Sequence, residues 1–472
     1  MIQEQQKASL PTDFVNEMNS LLGSDEASEL VSAIGGGEQP VSIRRNPLKT
    51  SGFAQLGIAT KSSTQPVPWS DTGVYLSERP LFTLDPHIHA GAYYVQEASS
   101  MFVEHVLRTH ISEPSVVLDL CAAPGGKSIA ALSALPEGSL LVSNEIMRGR
   151  CQILAENLTK NGSPSTIVTN CEASDFQPLG SRFDVVITDV PCSGEGMFRK
   201  DERAVSEWSL KAVADCQERA RGIVADIWPC LKPGGLLIFS TCTYNRAENE
   251  DNVLWIATEF GAEILTVPTD EEWNIRPSVD PSVQAYRFMP HRTTGEGFFI
   301  AVLQKSPEAE VVSPEREPKK NKKDKNRQTL QPVPRESASM LANPSEYTIH
   351  WAGEQLIAFP TNYMDILESI RRHCRIMTAG ITLGRVKGKN LQPAHSLAMS
   401  AALSPEAFPR TELTLEQSLA YLRGESISLS ASVSLGHVVV CYQDLPLGFV
   451  KNLGNRANNL YPQEWRIRMQ VQ

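Results

Sequence analysis

Short apolar runs alternate with helical patterns along the middle of the chain, and this alternation restricts the possible folds more than any other feature. The runs are rich in Val, Ile and Leu and lie at residues 116–120, 140–143, 166–168, 185–187 and 236–239. Four strand-to-helix alternations in succession are typical of parallel strands whose connecting helices cover both faces of a sheet. The pattern therefore predicts an α/β fold with a doubly wound, mostly parallel sheet.

The length and local composition divide the chain into four segments. At 472 residues the chain exceeds the usual size of one domain. A small α+β extension is expected at residues 1–80, and the predicted sheet belongs to residues 81–304. Residues 305–344 are rich in lysine and proline, which indicates a flexible linker. Residues 345–472 regain apolar periodicity and predict a small β-rich domain.

Targeting and cysteine patterns indicate a cytoplasmic protein without a membrane partner. No apolar run is long enough to span a bilayer, and residues 1–14 lack the pattern of a signal peptide. The nine cysteines contain no CxxC pair, which argues against a disulfide framework and against a structural metal site. No metal is therefore expected, and the thiols are free for chemistry.

The charge of the chain is distributed unevenly. Its formal net charge is −10, yet residues 1–315 carry −17, whereas residues 316–327 carry +5 and residues 344–472 carry +2. The acidic majority argues against a nucleic-acid partner, so RNA contact would have to come from local basic patches, the linker and the tail. Near the chain end, basic and aromatic side chains are interleaved at Lys451, Arg456, Tyr461, Trp465, Arg466 and Arg468. This mixture favours RNA contact, and a small β domain with solvated charges is the alternative.

Residues 183–196, FDVVITDVPCSGEG, place two reactive side chains at the end of a strand. The apolar run ends at Asp189, Pro191 stops it, and Cys192 follows. In an open α/β sheet, chemistry collects beyond the carboxyl ends of the strands. A carboxylate and a thiol at that level indicate catalysis on a heterocycle, and an ordinary turn with an incidental cysteine is the alternative.

Residues 119–128, DLCAAPGGKS, form a strand end, a glycine-rich turn and a helix start. Small residues let backbone N–H groups reach a ligand, as in cradles for nucleotide cofactors. The turn matches neither the dinucleotide fingerprint nor the phosphate-binding loop of ATPases, which disfavours NAD and ATP. Glu145 follows the second strand, where an acidic residue binds ribose hydroxyls in nucleotide-binding units, and Glu172 follows the third.

Two further stretches carry candidate contacts. Residues 240–250, STCTYNRAENE, follow the fifth strand and place Cys242 at the level of Asp189 and Cys192. Arg44 and Arg45 lie at the end of a predicted strand before Pro47, where they could contact phosphates. A solvated strand end is an equally good interpretation of these two arginines.

Three of these stretches together resemble the RNA cytosine-carbon-5 methyltransferases: 119–128, 189–196 and 240–250. Their order and spacing fit that family across residues 80–303. The tail, at residues 380–400 and 446–462, resembles the pre-PUA and PUA-like region of the RsmF-type branch. The resemblance implies a Rossmann-like methyltransferase domain at 81–304 that methylates cytidine in 16S ribosomal RNA. It also implies RNA-binding segments at both ends of the chain.

The resemblance assigns roles to four catalytic residues. In the family, the cysteine of the TCT motif attacks the base and the cysteine of the PC motif assists release, which implies these roles for Cys242 and Cys192. Asp189 is expected to hydrogen-bond the base near N3. Lys127 is expected to approach the base or to lower the pKa of a thiol.

The resemblance also implies S-adenosylmethionine as the cofactor. Its methionine part is expected on the turn Cys121, Ala122, Ala123, Pro124, Gly125, Gly126 and Lys127, with Asp189 beside it. Glu145 is expected at the ribose and Glu172 near the adenine, where the family often has aspartate. The implied partner is ribosomal RNA, in the small subunit or its precursor, and the protein is expected to be a monomer.

Three other functions remain open at this stage. The same chemistry could act on transfer RNA, or the chain could be a non-catalytic RNA-binding assembly factor that keeps the fold. The presence of both cysteines with Asp189 and Lys127 argues against the second of these. A DNA cytosine methyltransferase also uses a Pro-Cys motif but does not need a second thiol, so Cys242 counts against it.

Overall fold

The computed structural model describes residues 9–36, 39–49, 64–315, 332–387 and 390–469. Its N-terminal part is a helical hairpin followed by a four-stranded antiparallel sheet of order β2-β3-β1-β4. A short helix, α3, precedes the last of these strands. The bounds are α1 (Thr12–Leu22), α2 (Ser24–Gly36), β1 (Val41–Arg45), β2 (Thr64–Pro66), β3 (Gly73–Leu76), α3 (Pro86–His89) and β4 (Tyr93–Val95).

The centre of the molecule is the doubly wound sheet that the sequence predicts. Five parallel strands lie in the order β9-β8-β5-β6-β7. Strands β6 and β7 are added on one side of β5 and strands β8 and β9 on the other, so the strand order reverses between β5 and β8. The strands β5 and β6 are buried on both faces, which is why they read as continuous apolar runs. The bounds are α4 (Phe102–His110), β5 (Val116–Asp119), α5 (Gly126–Ala134), β6 (Leu140–Asn144), α6 (Arg148–Asn161), β7 (Thr166–Asn170), β8 (Phe183–Asp189), α7 (Glu202–Glu207), α8 (Leu210–Ile227) and β9 (Leu231–Thr241).

Antiparallel strands extend this sheet at both edges. Beyond β9 the order continues β13-β12-β11, and β10 also pairs with β13. The elements here are α9 (Glu250–Phe260), β10 (Glu263–Leu265), β11 (Arg276–Pro277), β12 (Ala285–Phe288) and β13 (Phe298–Gln304). At the other edge, β16 (Arg375–Ala379) from the C-terminal part pairs with β7. The prediction of parallel strands is therefore correct for the centre of the sheet, and the flanks differ from it.

The C-terminal part forms two further four-stranded sheets, β14-β15-β17-β18 and β19-β20-β21-β22. The predicted β-rich character is confirmed. Its elements are β14 (Tyr347–Ala352), β15 (Gln355–Pro360), α10 (Met364–His373), β16 (Arg375–Ala379), β17 (Ile381–Lys387), β18 (Asn390–Pro393), α11 (His395–Met399), β19 (Arg410–Glu412), α12 (Leu415–Leu422), β20 (Gly436–Tyr442), β21 (Leu445–Asn452) and β22 (Ala457–Asn459).

Apolar cores join the three parts into one packed body. The N-terminal sheet shares a core with the last C-terminal sheet, where Ile43 and Tyr93 pack with Tyr421 and Val438. The helical hairpin packs against the central domain through Phe14, whose ring lies 5.1 Å from that of Phe198. This packing brings the N-terminal segment against the loops that follow β8 and β9.

The linker prediction falls partly outside the described residues, since the lysine-rich stretch 316–331 is not among them. Residues 305–315 lie along the central domain, where Ser181 N donates to Val312 O at 2.9 Å. Among the described residues, no helix combines the length and apolar character needed to cross a membrane.

Candidate active site

The predicted catalytic and cofactor-binding side chains lie near the point where the strand order of the sheet reverses, between β5 and β8. Asp189 ends β8, and the turn that starts at Cys121 follows β5. Cys242 follows β9, the other neighbour of β8. Adjacent parallel strands deliver their carboxyl ends to one edge, and ligands bind in the crevice at such a reversal point. The fold therefore brings the three predicted motifs together.

The sulfur atoms of Cys192 and Cys242 lie 3.2 Å apart, and either can donate a hydrogen bond to the other. The two loops touch at Gly196, whose N–H donates to Cys242 O at 2.8 Å. A side chain at Gly196 would lie 2.9 Å from that same oxygen, so the approach requires glycine. The hydrogen bond to Cys242, followed by burial, raises the pKa of the Cys192 thiol well above its ordinary value. Cys192 therefore keeps its proton at neutral pH.

Lys127 and Asp189 form an ion pair beside the sulfurs, with Nζ and Oδ2 2.9 Å apart. Asp189 Oδ1 also accepts from Ser240 Oγ at 3.2 Å, and Lys127 Nζ lies 5.1 Å above the Phe298 ring. Burial lowers the pKa of Lys127, but the charges of Asp189, Asp119 and Cys242 outweigh burial and leave that pKa raised. The site therefore holds a fixed positive charge next to Cys242.

Glu195 holds the loop that carries Cys242, and no sequence pattern distinguishes this residue from other glutamates. This carboxylate is fully buried and accepts from the backbone N–H groups of Tyr244 at 2.7 Å and Asn245 at 2.9 Å. It also accepts from the Asn245 amide and from Trp208 Nε1, both at 3.0 Å. Four donors converge on one carboxylate, so the position of the Cys242 loop depends on it.

Glu248 ties the two cysteine loops to each other. Its carboxylate accepts from Ser193 N at 2.9 Å and from the Ser193 hydroxyl on the Cys192 side. On the Cys242 side it accepts from Asn245 Nδ2 at 2.7 Å. Burial raises the pKa of Glu248 to about 7. Glu248 lies inside the STCTYNRAENE stretch, so the motif contained this residue without indicating its contacts.

Replacing Glu195 with Gln is expected to loosen the Cys242 loop. Each oxygen of the Glu195 carboxylate accepts from two donors, and glutamine replaces one of these oxygens with an N–H₂ group that cannot accept. A buried donor left without an acceptor costs about 1–3 kcal/mol of stability. Hydrogen exchange at the Tyr244 and Asn245 amides should accelerate by about tenfold or more. Glu207→Gln, at an exposed position, is the matched control. Unchanged exchange at both amides in Glu195→Gln would show that the loop is held elsewhere.

The glycine-rich turn is fixed by side chains of α6. Arg150 Nη2 donates to Ala123 O at 2.7 Å, and Asn157 Nδ2 donates to Pro124 O at 2.8 Å. Gly125 has φ +115°, a conformation that glycine adopts without strain, and Gly126 then begins α5. The turn is a preformed cradle at a helix N-terminus. Arg150 was not predicted, because its spacing in a helical pattern carries no sign of this contact.

Carboxylates surround the turn. Glu145 is buried at the end of β6, where it accepts from Met147 N at 2.8 Å and pairs with Arg150 at 3.3 Å. Asp119 is fully buried, and burial raises its pKa to about 7. Its Oδ2 accepts from Ser128, whereas Oδ1 has no hydrogen-bond partner in the described part of the chain. A cationic ligand with hydroxyl groups would fit this set of acceptors.

The remaining predicted contact residues, Glu172 and the basic and aromatic residues near the chain end, differ in their exposure to solvent. Glu172 is exposed after β7, where its N–H is capped by Asp175 at 2.9 Å, and its proposed role at an adenine stays a prediction. At the chain end Tyr461 is buried, and Trp465 packs over Lys160 at 5.3 Å, so both rings have structural contacts. The four predicted cations of the tail are exposed: Lys451, Arg456, Arg466 and Arg468.

Family models match most of the chain in three blocks. Residues 10–98 match the N-terminal domain of 16S rRNA methyltransferase RsmF, and residues 106–304 match 16S rRNA methyltransferase RsmB/F. Residues 408–467 match the methyltransferase RsmF PUA domain. The three blocks follow the N-terminal part, the central sheet and the last sheet of the structure.

Similar proteins cover nearly the full length. Ribosomal RNA small subunit methyltransferase F of Erwinia tasmaniensis is 30% identical over 475 residues, 96% of each chain. The protein of the same name from Enterobacter sp. is 28% identical over 473 residues, 96% of this chain and 95% of that one. Among solved structures, a methyltransferase homolog protein from Pyrococcus horikoshii aligns with a TM-score of 0.53 and 25% identity. That alignment covers 62% of this chain and 95% of the other.

Proposed function

Because the chain belongs to the family of ribosomal RNA small subunit methyltransferase F, we propose that it methylates carbon 5 of a cytidine in 16S ribosomal RNA. The resemblance seen in the sequence to RsmF-type enzymes is confirmed by the same comparisons. The observation that carries the cytosine chemistry is the 3.2 Å contact between the sulfurs of Cys192 and Cys242, beside Asp189 and Lys127. Two thiols at one edge of the sheet suit a reaction in which one sulfur attacks the base and the other assists release of the product.

Cys242 is the proposed nucleophile. Carbon 5 of cytosine is a poor nucleophile until a thiolate adds to carbon 6 and turns the ring into an enamine. Cys192 holds its proton and donates to Cys242, while Lys127 stabilises negative charge on that sulfur. Asp189 meets the base near N3 and stabilises the charge that develops during addition. The target base has to leave its stack to reach both sulfurs.

Cys192 is the proposed base for release. Addition consumes the thiolate of Cys242, so the charge and hydrogen bond that hold the Cys192 proton disappear. Cys192 can then lose its proton and take the one on carbon 5 after methylation. The electron pair of that C–H bond re-forms the 5,6 double bond and expels the Cys242 sulfur as a thiolate. Cys192 ends as a thiol and Cys242 as a thiolate, as at the start. The one proton released to solvent is the proton that Cys192 lost before it took the proton from carbon 5.

S-adenosylmethionine is the proposed cofactor, and it supplies an electrophilic methyl group on a sulfonium. The turn of residues 121–127 would hold its methionine part through backbone groups. Glu145 would accept from the ribose hydroxyls, and Glu172 would lie near the adenine. The carboxylates of Asp189 and Glu145, whose charges act on the turn at Cys121, suit the positive charge of this donor.

RNA docking is proposed for the ends of the chain. Residues 1–315 carry −17, so electrostatic attraction has to come from the +5 linker and the exposed cations of the tail. The substrate form is 16S RNA in the small subunit or its precursor. A monomer acting in the cytoplasm, where ribosomes assemble, is the matching arrangement.

Mapping of 5-methylcytosine in 16S RNA tests the assignment. Cells that lack the gene are expected to lose methylation at one or more cytidines, and the wild-type gene should restore it. Transfer RNA mapped in the same samples serves as the internal control for the alternative substrate. Complete retention of 16S methylation, or loss confined to transfer RNA, would contradict the proposal.

A further inference from the structure

The loop that carries Cys242 is held from the flank of the sheet as well as from its centre. Tyr244 follows Cys242 by two residues, and its N–H already donates to Glu195. Its carbonyl oxygen accepts from Arg287 Nη1 at 2.6 Å. Arg287 lies in β12, which is separated from β9 by β13 alone. The contact therefore ties the Cys242 loop to an antiparallel strand that has no part in the proposed binding of cofactor or cytosine.

Glu250, the first residue of α9, fixes the direction of the Arg287 guanidinium. Arg287 Nε donates to Glu250 Oε1 at 2.7 Å, and Nη2 donates to Oε2 of the same carboxylate. Two parallel N–H groups on one carboxylate set both the distance and the plane of a guanidinium. Glu250 Oε1 is itself held, since it accepts from Ser278 Oγ and from Val279 N at 3.1 Å. The remaining nitrogen, Nη1, is left directed at the Tyr244 carbonyl.

The Arg287–Glu250 pair is sealed from solvent. Arg287 is 2% exposed and Glu250 is fully buried, and the guanidinium lies 5.6 Å from the centre of the Phe299 ring. The loss of water from two charges offsets most of their attraction, so such a pair adds little net stability. Its distinctive contribution is a donor that cannot turn away from the Tyr244 carbonyl to meet water.

Opposite charges therefore hold the two sides of Tyr244. The Glu195 carboxylate accepts its N–H at 2.7 Å, and the Arg287 guanidinium donates to its carbonyl. The Tyr244 ring is also fixed, because it is 2% exposed and a side chain at Gly297 would come within 2.6 Å of it. A nucleophile displaced by about 1 Å loses about 100-fold in rate. Fixing Tyr244 is therefore a direct way to keep the sulfur of Cys242 in position.

We propose that Arg287 is a positioning residue for methyl transfer, which holds the Tyr244 carbonyl and so keeps the Cys242 sulfur where it meets carbon 6 of the target cytosine. The inference rests on the proposed function, because it takes Cys242 as the nucleophile. Arg287 contacts neither substrate nor cofactor and acts only through the backbone of the Cys242 loop. Its removal therefore slows attack on the base and leaves the binding of RNA and cofactor in place.

Two changes at Arg287 test this role. Arg287→Lys keeps the charge balance with Glu250 but replaces the fork by one ammonium nitrogen, which cannot take the positions of Nε and Nη1 together. Arg287→Met/Glu250→Gln removes both charges, so no buried charge is left without a partner. Both are made in the full-length Cys192→Ala protein, in which release is blocked and a covalent complex with 16S RNA is expected to accumulate. The rate at which that complex appears reports attack by Cys242.

The complex is expected to appear about tenfold more slowly in Arg287→Lys and about 100-fold more slowly in Arg287→Met/Glu250→Gln. The dissociation constants for 16S RNA and for S-adenosylmethionine should stay within about twofold of the Cys192→Ala parent. This split between rate and affinity, with part of the rate kept by lysine, separates positioning from a general loss of structure. Thermal unfolding checks that each variant is folded.

Arg276→Lys is the matched control in the same Cys192→Ala parent. Arg276 lies opposite Arg287 in the pairing of β11 with β12, but its Nε donates to Glu26 of α2 at 3.0 Å rather than to the Cys242 loop. Its complex should appear at the parent rate. An unchanged rate in both folded Arg287 variants overturns the proposal, and so does a slower rate explained by an equal loss of RNA affinity.

Hydrogen exchange distinguishes a failure of this proposal from a failure of the covalent mechanism. Complete absence of the complex in the Cys192→Ala parent contradicts the covalent mechanism. Exchange at the Asn245 amide, which follows the Tyr244 carbonyl, then decides whether Arg287 holds the loop. Exchange that is about tenfold faster in Arg287→Met/Glu250→Gln, but not in Arg276→Lys, supports that role, and unchanged exchange contradicts it.

Discussion

The Cys242→Ala variant is expected to lose methyl transfer to 16S RNA on the order of 10⁴-fold or more, the scale on which enzymes depend on a covalent nucleophile. Without the sulfur, carbon 6 receives no thiolate and carbon 5 stays unreactive. The loop around residue 242 is held by contacts that do not involve the sulfur. The Glu195 carboxylate accepts from Tyr244 N, Gly196 N donates to the carbonyl of residue 242, and the Asn249 side chain accepts from the hydroxyl of Thr241. The loop should therefore keep its position. The turn of residues 121–127, which is proposed to hold the cofactor, follows β5 rather than β9, so cofactor affinity should stay within about twofold of wild type.

Single-turnover transfer of a labelled methyl group to 16S RNA measures this loss, and calorimetry measures cofactor binding. Cys216→Ala is the matched control, because Cys216 is also a half-buried thiol but lies in the middle of α8. Cys242→Ser should be as inactive as Cys242→Ala, since a hydroxyl is far less nucleophilic than a thiolate at neutral pH. Activity retained by Cys242→Ala at the wild-type level would show that another group attacks the base or that no adduct forms.

The parts of the fold that follow from local pattern were predictable. The strands β5, β6, β7, β8 and β9 are buried by their neighbours on both sides, so each left a short apolar run in the sequence. Because residues at strand ends share one edge of a parallel sheet, the meeting of Asp189, Cys192 and Cys242 followed from strand positions alone. Lys127 lies with them because it is in the first turn of α5, the helix that follows β5.

The supporting groups were not predictable, because their partners are distant in the sequence. Glu195 binds the backbone near Tyr244, and Arg150 binds Ala123 O, pairs that only the folded sheet brings together. The strand β16 pairs with β7 across more than 200 residues, and Arg375 faces Asn170 in that register. Periodicity along one segment carries no information about a partner of this kind.

The burial of the Arg44 side chain also depends on contacts that the local sequence does not reveal. Alternation around β1 placed Arg44 next to a proline break, and both sequence interpretations assumed that its side chain reaches solvent. The antiparallel pairing of β1 with β3 and β4 covers it instead, and Gln96 takes its Nε. A buried cation cannot be distinguished from a surface one by composition, since only tertiary packing removes the water.

The Cys192→Ala variant is expected to accumulate a covalent protein–RNA complex while steady-state turnover falls by about 100-fold or more. Attack by Cys242 does not need the second thiol, but release needs a base at carbon 5, and alanine offers none. Removing Cys192 also removes the hydrogen bond between the two sulfurs, but Lys127 still stabilises negative charge on the Cys242 sulfur, so attack can proceed. Denaturing electrophoresis with labelled 16S RNA and S-adenosylmethionine should show a slowly migrating band that protease digestion abolishes.

The double variant Cys192→Ala/Cys242→Ala provides the decisive control for that band. It keeps the same loss at residue 192 but has no nucleophile, so the covalent species should disappear completely. A band that persists in the double variant would come from another residue and would refute the roles given to both sulfurs. Wild-type turnover in Cys192→Ala would mean that water or a neighbouring carboxylate removes the carbon-5 proton. Glu248 is the first candidate for that carboxylate, because burial raises its pKa to about 7 and it binds Ser193, next to Cys192.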